Sequence, residues 1–172
     1  MAYVNYENVY FFTATILKWQ RLLDNDEFKL IIINSFRHFS NERCDFYAFV
    51  IMPNHIHIIL RLRNDTKSSF QRDFLKYTAQ SFLNIMSKDS SYRLKDFRSD
   101  LKDRKYQIWE RKPFWVELKF PNKYFIKLEY IHNNPLAGKW KLADTILDYK
   151  WSSAKFHEGE KQDFEFLKVF DV

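Results

Sequence analysis

Between Asp45 and Arg63 the chain reads as two apolar runs, Asp45–Met52 and Ile56–Arg63, with Pro53 and Asn54 at the turn between them. So short a connection joins antiparallel neighbours, because a parallel crossover needs a dozen or more residues. This hairpin fixes the centre of a sheet, and the flanking segments supply the rest. Tyr10–Leu17 is rich in aromatic and β-branched residues and predicts a strand. Asp24 and Glu27 have the spacing of a capping box, followed by Phe28, Ile32, Phe36 and Phe39 at helical intervals. Ser68 and Gln71 precede a second helical stripe of Phe70, Phe74, Tyr77, Phe82 and Ile85. Gln107–Trp109 and Phe114–Phe120 are strand-like. The order β-α-β-β-α-β, with a further helix over Asn122–Asn134, predicts an α+β fold: a ferredoxin-like sandwich with an antiparallel sheet.

Composition removes several function classes. Two Gly among 172 residues cannot spell a phosphate loop or a dinucleotide fingerprint. A lone cysteine, Cys44, excludes a disulfide framework and any multi-cysteine zinc site. No apolar run approaches a membrane span, and no secretory signal is evident, so a cytoplasmic protein without a membrane partner is the expectation. The net charge of +6 suits a polyanionic partner. The eighteen Phe, ten Tyr and five Trp are mostly accounted for by core stripes. The chain is expected to be a single domain, with a charged insertion or connector at about 88–105 and a C-terminal tail from about 140.

On a strand, alternate side chains share a face, so His55 and His57 point together while Ile56, Ile58 and Leu60 point the other way. Two neighbouring imidazoles can chelate a divalent cation, or can be two polar groups on an outer face. Position 59 is Ile, not the third His of a histidine-triad hydrolase. A metal-dependent amidohydrolase barrel needs a longer chain, and a zinc-protease helix would space its pair at i, i+4. On Asn122–Asn134, Tyr124, Leu128 and Ile131 form one helical stripe. Lys123, Lys127, Tyr130 and Asn134 form another, on which Tyr130 and Asn134 are one turn apart. Pro135 ends this helix.

PNHIHIIL at Pro53–Leu60, followed by EYIHNNPLAGKW at Glu129–Trp140, resembles the single-tyrosine HUH transposases, and most closely their REP-associated branch. YFFT at Tyr10–Thr13, IWERKPFW at Ile108–Trp115 and KWSSAKFH at Lys150–His157 follow in family order, so the resemblance spans almost the whole chain. It implies metal ligation by His55, His57 and Asn134, a nucleophile at Tyr130, and Mg²⁺ or Mn²⁺ as the cation. The implied reaction nicks and rejoins single-stranded, hairpin-bearing DNA through a 5′-phosphotyrosine. A covalent ester conserves the bond energy, which agrees with the missing phosphate loop. DNA contacts are expected from Lys123, Lys127, Arg61, Arg63, Arg111 and Lys112. The alternative is a non-catalytic hairpin-binding protein that keeps the fold. Family members include both homodimers and monomers, so the resemblance leaves open whether one chain completes the site.

Overall fold

The computed structural model describes residues 7–160 and 164–170. Four strands, β1 (Val9–Thr15), β2 (Cys44–Met52), β3 (His55–Leu62) and β4 (Phe114–Glu117), form one sheet in the order β2-β3-β1-β4. Every neighbouring pair is antiparallel. Helices α1 (Asp26–Ser40) and α2 (Lys67–Lys88) connect β1 to β2 and β3 to β4. This is the expected ferredoxin-like β-α-β-β-α-β sandwich, followed by α3 (Pro121–Asn133) and a short α4 (Ala154–His157).

The main core lies between the sheet and helices α1 and α2. Tyr10, Phe12 and Ala14 of β1 and Ile56, Ile58 and Leu60 of β3 meet Phe28, Ile32, Phe36, Phe70, Phe74 and Phe82 there. The other face is covered too. Val9, Phe11, Val50 and Ile59 pack against Tyr124 and Ile131 of α3, with Phe170 beside them. All nine residues of β2 are buried. A bulge at Tyr47 shifts its alternation, so that Phe46, Phe49 and Ile51 face one layer while Tyr47, Ala48 and Val50 face the other.

Local chemistry refines the element ends. Helix α1 is capped by Asn25, whose Oδ1 accepts from Glu27 N at 2.9 Å, one residue after Asp24. Helix α2 starts at Lys67 under Thr66, whose hydroxyl accepts from Ser69 N at 3.2 Å. In α2 it is Thr78, not Tyr77, that turns inward, where its hydroxyl accepts from Trp109 Nε1 at 2.9 Å. Helix α3 opens with Pro121 at its first position, where the missing N–H loses no bond.

The charged segment after α2 contains a single 3₁₀ turn, Leu94–Phe97, whose Phe97 is buried in the main core. Trp151–Ser153 and Leu167–Lys168 run along the outer side of β2, through Ile51 N to Trp151 O at 2.9 Å and Lys168 N to Phe46 O at 2.9 Å. They cover an edge that would otherwise offer unpaired backbone groups.

Candidate active site

Strand β3 sets the two histidines in the middle of the sheet. His57 stands opposite Thr13 on β1 and Val50 on β2, and His55 opposite Thr15 and Met52. Both are buried, and their ring centroids are 4.7 Å apart. The face they occupy is thus an interior one, roofed by α3, rather than an outer face of a half-buried strand.

Each ring is held through Nδ1. Thr13 Oγ1 lies 2.7 Å from His57 Nδ1. Asn54 Oδ1 lies 2.7 Å from His55 Nδ1, while Asn54 Nδ2 donates to Trp19 O at 3.1 Å. The second bond fixes which end of the Asn54 amide faces the ring. A carboxamide oxygen only accepts, so His55 must carry its proton on Nδ1 and a lone pair on Nε2. His57 can adopt the same tautomer by donating to Thr13. Such partners orient metal-binding histidines in general. Spacing does not mark either partner, since both act through side-chain directions that only the folded chain defines.

Helix α3 delivers the rest. With Tyr124 and Ile131 buried on the sheet, Tyr130 falls over the histidines, its ring centroid 5.2 Å from His57 and 6.1 Å from Phe11. Tyr130 remains 48% exposed, so its phenol is open to a large ligand. Asn134, in the 3₁₀ turn that ends the helix, is buried beside His55. His132 bonds Ser153 Oγ through Nε2 at 3.0 Å, and Ser153 Oγ accepts from Phe49 N at 3.0 Å. That chain ties the end of α3 to β2. Lys127 places its Nζ 4.5 Å from the Phe11 ring centroid and 5.3 Å from that of Tyr130.

One chain therefore brings His55, His57, Tyr130 and Asn134 together. Two buried polar atoms among them, His57 Nε2 and Asn134 Oδ1, have no hydrogen-bond partner. Such an atom costs about 1–3 kcal/mol when left unsatisfied. Two imidazole nitrogens and a carboxamide oxygen make a neutral N/O donor set that fits a divalent cation. Among the described residues no group of three or more His, Cys, Asp or Glu is placed to hold a metal ion.

Burial pushes His55 down to about 4, with Lys139 adding to the shift and the Asn134 side chain acting against it. Burial also holds His57 well below the ordinary value, and His55 and Lys127 add to that. Both rings are neutral at pH 7, as ligation requires. His132 is likewise lowered to about 4 by burial, with His157 adding to it. The unfolded chain, with histidines near the ordinary value of about 6.5, takes up protons first as pH falls. Stability from these groups is therefore complete above about pH 6.5 and is lost on the way down to about 4, by roughly 3 kcal/mol for His55 alone. Thermal melts of the metal-free protein should decline through that window; a midpoint constant from pH 7 to 4.5 contradicts the burial argument.

The other basic residues are dispersed. Lys123 is exposed one turn before Lys127 on α3, with its Nζ 5.7 Å from the Phe120 ring centroid. Arg61 shares the histidine face but lies over Tyr47 and Phe170, its Cζ 5.7 Å from each ring centroid. Arg63 pairs with Asp45 at 3.2 Å and donates to the carbonyls of Ser40, Asn41 and Cys44. Arg111 and Lys112 are exposed just before β4, where Arg111 joins Arg72, Lys76 and Arg104 around a groove beside α2. Of the six, the structure brings Lys127 to the histidines.

No family model matches the sequence, and no curated protein is detectably similar to it. Solved structures are. A REP-associated tyrosine transposase bound to a REP hairpin superposes with a TM-score of 0.61 at 17% identity, over 100% of this chain and 98% of that one. A second, named as a transposase of Deinococcus radiodurans R1, gives 0.49 at 14% identity, over 77% of this chain and 94% of that one. The protein has the α+β fold of a REP-associated tyrosine transposase.

Proposed function

We propose that the protein is a metal-dependent DNA transposase that nicks and rejoins hairpin-bearing single-stranded DNA, with Tyr130 as nucleophile. The observation that carries this reading is the meeting of a half-exposed phenol with two neutral imidazoles and a carboxamide, two of whose buried polar atoms lack partners. His55, His57 and Asn134 would hold Mg²⁺ or Mn²⁺. When bound, such an ion supplies Lewis-acid polarisation of a phosphate oxygen.

The chain's own groups account for the remaining steps. Tyr130 Oη gives its proton to solvent and forms a bond to the scissile phosphorus, while the bond from phosphorus to the 3′-oxygen breaks and that oxygen takes up a proton from solvent. The products are a 5′-phosphotyrosine and a free 3′-hydroxyl. Attack by another 3′-hydroxyl reverses the exchange, joins strands and restores the phenol, with no nucleotide hydrolysed. A phenolate leaves far more readily than an alkoxide, which makes the reverse step feasible. Lys127 places a cation beside the phenol where phosphate charge collects. Hairpin DNA as the partner is supported by the shared fold with a transposase solved on a REP hairpin, and by the net charge of +6. A protein kept only for hairpin binding would have no use for the unpartnered atoms of His57 and Asn134.

The test is a labelled hairpin oligonucleotide with single-stranded flanks, incubated with Mg²⁺ or Mn²⁺. A denaturant-resistant protein–DNA adduct that disappears with chelator is expected; tight binding without any adduct favours the binding-only protein. The orienting bond to His55 adds a further expectation. Asn54→Ala should weaken Mn²⁺ affinity about 10- to 100-fold. Isothermal titration measures this, and nitrogen NMR of the metal-free protein should show His55 losing its fixed Nδ1–H tautomer. Unchanged affinity with an unchanged tautomer contradicts the assignment.

A further inference from the structure

The turn after β1 is strained and holds a tryptophan out of the core. Lys18 and Trp19 have φ of 54° and 57°, in the left-handed region that is costly for side chains of this size. Four bonds enforce the conformation. Trp19 N donates to Ile16 O at 2.9 Å and Leu17 N to Ile108 O at 2.7 Å. Lys18 N donates to Glu110 Oε1 at 2.7 Å, and Asn54 Nδ2 to Trp19 O at 3.1 Å. Strain that is over-determined in this way marks functional positions more often than chance would.

What the strain achieves is placement. The Trp19 indole is 60% exposed, with its ring centroid 6.4 Å from that of His55. It adds little to the core, where an aromatic ring of this size would otherwise stabilise most. Trp140 approaches the same histidine at 5.9 Å. Arg21 and Lys139 lie over Trp140, at 5.8 and 5.1 Å from its ring centroid. Two indoles and two cations therefore border the site on the His55 side, away from Tyr130. A ligand for such a border has a flat π-face and an attached negative charge.

We propose that Trp19, with Trp140 beside it, is a stacking platform for an unpaired nucleobase adjoining the scissile phosphate, with Arg21 and Lys139 serving the neighbouring backbone. The proposal rests on the single-strand reading above and adds a base-binding subsite to it. Stacking on an aromatic side chain is tolerant of base identity, so the platform would position the strand rather than select its sequence.

The test measures metal-free binding of a hairpin oligonucleotide with single-stranded flanks, by fluorescence anisotropy. Trp19→Ala should weaken binding by roughly 5- to 150-fold, Trp19→Tyr should retain most of it, and the salt dependence should not change because no charge is removed. Abasic replacements are then moved one nucleotide at a time along the flanks. One position should weaken the wild type by a similar factor and leave Trp19→Ala unaffected, a coupling that general unfolding of the variant cannot imitate. Equal affinity of Trp19→Ala and wild type, or equal abasic penalties in both at every position, overturns the platform. Such a result alongside a normal wild-type adduct removes the platform alone, whereas absence of the wild-type adduct removes the strand-transfer reading.

Discussion

Tyr130→Phe should abolish the covalent protein–DNA adduct while leaving hairpin binding within about twofold of the wild type. The substitution removes one oxygen and keeps the ring that lies 5.2 Å from His57, 6.1 Å from Phe11 and beneath Lys127. Because the side chain is half-exposed, stability should change by no more than about 0.5 kcal/mol. The chemical step has no such tolerance: without the phenolic oxygen no phosphotyrosine can form, and cleavage should fall by at least about 10³-fold. Tyr124 cannot take over. It is buried on the opposite stripe of α3, stacked on Phe170 with centroids 4.5 Å apart. Denaturing gels for the adduct and anisotropy for binding separate the two effects.

The second large effect is expected at His57. Its Nε2 is one of the unpartnered buried atoms, and its Nδ1 is engaged by Thr13 at 2.7 Å. His57→Ala should reduce Mg²⁺- or Mn²⁺-supported cleavage by about 10²- to 10⁴-fold, the scale of several kcal/mol of charge stabilisation. A metal ligand and a packing residue would behave differently in a melting experiment. Mn²⁺ should raise the melting temperature of the wild type, since a ligand that binds only the folded state stabilises it in proportion to its occupancy. The same addition should leave His57→Ala unmoved. The variant also loses a ring stacked on Phe11 at 5.2 Å, so its metal-free melting temperature should be lower. An equal rise with Mn²⁺ in both proteins would contradict ligation by His57.

Much of this arrangement is written locally in the chain. Pro53 and Asn54 between two apolar runs dictate the hairpin, and helical spacing marks both the buried stripe of α3 and the stripe that carries Tyr130 and Asn134. What is not legible depends on tertiary geometry. Alternation in β2 is hidden because both faces are buried and the Tyr47 bulge changes the parity midway. His55 and His57 read equally well as outer-face residues, since nothing in β3 says that α3 will roof them. Thr13 and Asn54 carry no spacing signal, and their roles come from bonds that exist only once β1, β3 and the Trp19 turn are assembled. Trp19 is likewise silent, because left-handed backbone at a bulky residue is imposed by its surroundings. Arg63 shows the converse: basic in sequence, it is engaged by Asp45 and three carbonyls in the fold.

The central claim is that Tyr130 becomes covalently joined to DNA at a site built by His55, His57 and Asn134. Mass spectrometry of the protease-digested adduct, formed on a flanked hairpin oligonucleotide with Mg²⁺ or Mn²⁺, tests it most directly. The predicted result is a peptide containing Tyr130 that carries a nucleotide through a 5′-phosphate, absent when chelator replaces the metal. A nucleotide on any other residue, or an adduct that forms equally well with chelator, would contradict it.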